Sequence, residues 1–99
     1  MTVADRIELL KNAFQSEAEL DLVLSKLFDA ALARQRQQLT EYDRELQEFE
    51  QRYGMDSSTF QGEFESGALG DGMDFFEWNG LYELRQRVAE KIRSLELAE

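Results

Sequence analysis

From Ser16 to Tyr53 the chain contains neither glycine nor proline, and this unbroken run limits the possible folds more than any other feature. Proline is absent from all 99 residues. It is poorly tolerated inside helices and common in turns and loops, so its absence points to long helices with short connections. Ser16, followed three residues later by Glu19, has the capping-box spacing that satisfies free backbone N–H groups at a helix start. Gly54 sits where a left-handed residue ends a helix. The pattern predicts one helix over 17–53, about 55 Å long at ~1.5 Å per residue. A compact domain of this length has a radius of gyration of only about 13 Å. Such a helix must project, bend, break or pair.

Its apolar positions favour pairing. Phe28, Leu32, Gln35, Leu39, Tyr42, Leu46, Phe49 and Tyr53 recur at alternating spacings of four and three, a heptad seam with one polar member, Gln35. The seam predicts a coiled-coil-like or bundle dimer of this chain. Leu20, Leu24, Leu27 and Ala31 add a second stripe along the first half. A hairpin broken near Arg34–Gln38 is the competing reading, but no turn residue marks a break there.

The remaining elements follow from local signals. Val3, Ile7, Leu10 and Phe14 recur at helical spacing, with Thr2 or Asp5 as cap, and predict a short helix over 3–14. Asp56 is an N-cap for a helix over 57–65, in which Phe60 and Phe64 stand one turn apart. Gly67–Gly72 is the one glycine-rich stretch, and Asp71 is placed to cap a last helix from Met73 to Leu95. The expectation is a single all-α domain over 1–99.

Composition removes several function classes. With no cysteine and no histidine, disulfides, thiolate nucleophiles, Cys/His zinc sites and imidazole acid–base chemistry are excluded. The first residues lack the basic and apolar regions of a secretory signal. No stretch reaches the ~20 apolar residues that span a bilayer, so a cytoplasmic protein is expected. A net charge of −10 disfavours nucleic acid and anionic lipid and suits a basic partner.

That charge is concentrated. Between Arg52 and Arg85 there is no Lys or Arg, while the segment holds seven acids (Asp56, Glu63, Glu65, Asp71, Asp74, Glu77 and Glu83) and seven of the eleven aromatics. Acid interleaved with aromatic suits a basic protein: aromatic anchors supply buried area, and acids steer encounter and set register. The ordinary alternative is that the aromatics are core and the acids merely solvated. That alternative is preferred for Phe60 and Phe64. In the last helix Met73, Phe76, Gly80, Leu84, Val88 and Ile92 form one stripe, the expected core face. Phe75, Trp78 and Tyr82 lie on another side and, with Asp71, Asp74 and Glu77, are the candidate partner-binding residues. Gly80, mid-helix, suggests a close backbone contact.

Other chemistry is poorly supported. Gly67–Gly72 lacks a phosphate-loop signature and is flanked by acids. Asp71, Asp74 and Glu77 resemble hard-metal ligands only loosely, with no EF-hand loop around them. Carboxylate pairs such as Glu45/Glu48 and Glu63/Glu65 have no evident cleft. Arg34 and Arg36, or Arg85, Arg87, Lys91 and Arg93, read as a solvated helix face rather than a nucleic-acid site. No enzyme activity, cofactor or metal is expected.

The run Arg52-Tyr53-Gly54-Met55-Asp56-Ser57, then Phe60, Phe64-Glu65, Gly67, Leu69-Gly70-Asp71 and above all Met73-Asp74-Phe75-Phe76-Glu77-Trp78 resembles a family of small acidic helical proteins of bacteria and archaea encoded beside small toxin-like proteins. The resemblance covers nearly the whole chain, though the preceding Glu-rich helix matches in character more than identity. It implies an antitoxin-like component of a toxin–antitoxin pair. A typical antitoxin also has a DNA-binding half; none is evident here, which speaks against a repressor role. The alternative is a structural or adaptor dimer with no toxin partner.

Overall fold

A computed structural model describes all residues from Met1 to Glu99. It contains four helices and no strand: α1 (Val3–Ala13), α2 (Glu17–Tyr53), α3 (Ser57–Glu65) and α4 (Met73–Ala98). The caps explain the boundaries. Thr2 and Asp5 form a reciprocal capping box at α1, with the Asp5 N–H donating to Thr2 Oγ1 at 3.1 Å and the Thr2 N–H to Asp5 Oδ2 at 2.9 Å. Ser16 Oγ accepts from the Glu19 N–H. Gly54 closes α2 in the left-handed conformation at φ 66°, which glycine adopts without steric cost. Asp56 Oδ1 accepts from the Thr59 N–H at 2.8 Å and starts α3.

α2 is continuous over 37 residues, with no hairpin break near Arg34–Gln38. The molecule measures 60 × 25 × 18 Å, with a radius of gyration of 19.6 Å, well above the ~13 Å of a compact domain this size. The last helix begins after Gly72, which has no side-chain cap, so Asp71 does not serve as the cap the sequence suggested. It also runs past Leu95 to Ala98.

α4 lies antiparallel along the C-terminal part of α2. Arg52 pairs with Asp74, Asp43 with Arg85 and Arg36 with Glu96. The partner positions ascend on one helix as they descend on the other. Between them sit two buried clusters. Leu32, Val88 and Ile92 form one, flanked by Leu39, Tyr42 and Leu95. Leu46, Phe60 and Trp78 form the other, flanked by Phe49, Phe64, Phe75 and Tyr82 among others.

Along much of its length the expected heptad seam faces helices of this same chain. Leu32 and Leu46 are buried, and Leu39, Tyr42 and Phe49 pack against α4 and its neighbours. Gln35 and Phe28 are half-buried. The α2–α4 pairing satisfies the requirement that the sequence assigned to a second copy: an apolar stripe needs an opposing one, and α4 supplies it at no loss of translational freedom.

Leu46 joins α2 to both α3 and α4, so Leu46→Ala should destabilise the chain by about 2–5 kcal/mol. Leu97→Ala, at a residue 83% exposed, should change stability by less than about 0.5 kcal/mol. Urea unfolding followed by circular dichroism measures both.

Candidate functional site

The pole built from the end of α2, all of α3 and the start of α4 is organised around Trp78. Its indole is fully buried and stacks on Phe60, with ring centroids 3.8 Å apart and planes within 5°. Phe49 and Tyr53 lie near-parallel to it, each at 5.6 Å. A buried indole N–H needs an acceptor. Trp78 Nε1 donates to Ser57 Oγ at 2.9 Å, and Ser57 Oγ donates in turn to Glu50 Oε2 at 2.9 Å. Glu50 Oε2 also accepts the Ser57 backbone N–H at 2.8 Å. One relay thus ties α4 to α3 and α3 to α2. It also sets a carboxylate at the N-terminus of α3, where the helix dipole favours negative charge.

A second knot lies beside it. Asp74 Oδ2 accepts from the Tyr53 hydroxyl and from Arg52 Nη1, the latter at 3.0 Å. The Tyr53 bond first, then the Arg52 bond, holds the Asp74 carboxyl below its ordinary range. The same bond to Asp74 raises the Tyr53 phenol. Arg52 also lies over the Phe49 ring, 5.4 Å from its centroid. The Asp56 carboxyl is likewise lowered by the Thr59 backbone N–H it caps.

These contacts correct the assignment of faces on α4. Trp78, offered as a partner anchor, is core. Phe75 and Tyr82 are half-buried and pack against the same cluster, and Asp74 is engaged within the chain. Asp71 and Glu77 are exposed. The stripe expected to be core turns outward at this end: Met73 is 73%, Phe76 54% and Leu84 42% exposed, although Val88 and Ile92 further along are buried. The reason is area. Gly80 leaves the outward stripe without a side chain at its middle, while Phe75, Trp78, Leu81 and Tyr82 offer a broad aromatic face to α2 and α3.

The outward face is thus Met73, Phe76, Gly80 and Leu84, at helical spacing. Phe76 is steadied edge-on by Phe64 at 5.4 Å and 86°. Exposed Glu63, Glu65, Asp71, Glu77 and Glu83 belong to the same segment, which carries no base. A Cβ placed on Gly80 would meet nothing within 4 Å. Its backbone does not need glycine either, since it has no positive φ. Nothing inside the chain accounts for glycine there. On the other side, Asp43, Glu50, Ser57, Tyr82 and Arg85 line a shallow polar cleft, where Asp43, Glu50, Ser57 and Arg85 are already paired with one another or with Trp78.

No protein-family model, curated protein or solved structure matches the chain.

Two outcomes follow. Asp74→Asn removes a carboxyl whose folded pKa lies below its unfolded value. The stabilisation it gives is complete above the ordinary carboxylate range and is lost as pH falls through the folded value. The variant should therefore melt below wild type at neutral pH, and the gap should close in acid, below about pH 4. Gly80→Ala has room for its methyl group and should stabilise the isolated chain by about 0.5–1 kcal/mol.

Proposed function

We propose that this chain is a non-catalytic protein-binding module: an antitoxin-like inhibitor that neutralises a basic partner protein in the cytoplasm. The observation that carries the reading is the outward face of α4. Exposed Met73, Phe76 and Leu84 flank an open glycine in a segment with seven acids and no base. Exposed apolar groups rimmed by polar ones mark interaction sites. Acids around them speed encounter with a basic surface and penalise acidic competitors. Gly80 lets a partner backbone approach α4 closely between Phe76 and Leu84. The resemblance carried by Met73–Trp78 adds the class of partner. Toxins that act on RNA are basic because they bind phosphate, and an acidic, aromatic-rich pole is complementary to such a surface.

Phe76 replaces Trp78 as the anchor in this reading. Phe76→Ala should leave the fold intact and weaken partner binding by more than about 1 kcal/mol, and Gly80→Ala should weaken it while raising stability. The partner to test is the basic product of a short adjacent reading frame, which should be toxic alone and rescued by co-expression. Binding by titration calorimetry should weaken as salt is raised. Loss of this chain with no growth defect beside an intact neighbour would defeat the proposal.

A further inference from the structure

The other end of the molecule is uncovered. Glu99, just past the end of α4, lies beside Asp29, so α4 stops short of the stretch of α2 from Glu17 to Phe28, about 18 Å of helix, and α1 does not pack closely on it. No residue of α1 is buried. Of the thirteen exposed large hydrophobic residues, eight fall within the first 27 positions, among them Ile7, Leu10, Leu24 and Leu27. An 11-residue helix that buries nothing is too short to persist in water by propensity alone.

We propose that this arm is covered by a second copy of the same chain, packed antiparallel about a two-fold axis near Val23. Three features select that occupant. Leu20, Val23, Leu27 and Ala30 recur at spacings of three and four on a side of the arm turned away from the one on which Leu32 meets α4, a stripe that closes on its own copy about such an axis. Charge decides where two copies can meet. Residues 1–28 hold five acids and three bases, whereas residues 53–84 hold seven acids and no base. Pole-to-pole approach sets two purely acidic surfaces together; arm-to-arm approach keeps them at opposite ends of the assembly. The flank charges also complement themselves. Glu19 and Lys26 are one heptad apart on the same flank, so the two-fold brings each Glu19 opposite Lys26 of the other copy, and a closed, isologous pair results. This inference uses a different surface from the function proposed above and does not depend on it.

The test is sedimentation equilibrium of the full-length chain across the micromolar range. A dimer, twice the 11.5 kDa chain mass, is expected at tens of micromolar. Leu24→Glu with Leu27→Glu should raise the dissociation constant more than about thirtyfold while circular dichroism shows α2 and α4 retained. Lys26→Glu alone should loosen the dimer, and adding Glu19→Lys should restore it. This charge-swap pair alters only exposed residues, so it still decides the matter if the leucine variant does not fold. A wild-type monomer at a hundred micromolar overturns the proposal, including one that instead binds phosphatidylcholine vesicles through the arm. So does a dimer that survives the leucine substitutions, or one that Phe76→Glu breaks. If the dimer fails while Phe76→Ala still loses the basic partner, only this inference falls; the reverse result removes only the proposed function.

Discussion

The hydrogen bond from the Trp78 indole to Ser57 Oγ, passed on to Glu50, is the constraint on which the arrangement of this chain depends. Trp78 is the largest side chain available, and burying it against Phe60 and Phe49 draws three helices together. Burial alone would leave α4 free to roll on its axis, because the helix is apolar around most of its circumference at this end. The indole N–H removes that freedom. It must find an acceptor within the dry interior, and the one provided is Ser57, held by a carboxylate from α2. The roll of α4 is set by that requirement, and with it the choice of which residues face outward.

The exposure of Phe76, the orientation of Gly80 and the engagement of Asp74 with Tyr53 and Arg52 are consequences of that roll. Arg52–Asp74 and Arg85–Asp43 lie along the α2–α4 contact at a spacing that fits only one register. Their side chains are only partly covered, so their contribution is to registry more than to stability. Arg52 and Arg85, the two bases that border the acidic segment, are both engaged across the α2–α4 contact.

Most of the helical framework was legible because it is written in short-range chemistry. Ser16, Gly54 and Asp56 act on backbone groups within a few residues, and each sits where its pattern placed it. Phe60 and Phe64 pack internally, the alternative preferred for them. What could not be read was the opposing surface for each stripe. The Phe28–Phe49 seam demanded a partner helix, and periodicity does not distinguish α4 of the same chain from α2 of another. On α4 two apolar stripes competed, and periodicity does not rank them. The signal that could have done so was the side-chain chemistry: one stripe had a glycine at its centre, while the other had an indole that required a buried acceptor. Ser57 and Glu50, unremarkable in the sequence, supply that acceptor through long-range contacts.

The unequal lengths of α2 and α4 have a consequence for cooperativity. From about Asp29 onward, opening α2 means exposing the Leu32 and Leu46 clusters, so those amides are released only when the core itself comes apart. Upstream, each turn of α2 and all of α1 open without exposing any buried cluster of this chain. Its folded state therefore has two tiers of stability along one uninterrupted helix. No loop marks the boundary between them, which is set only by where the second helix stops.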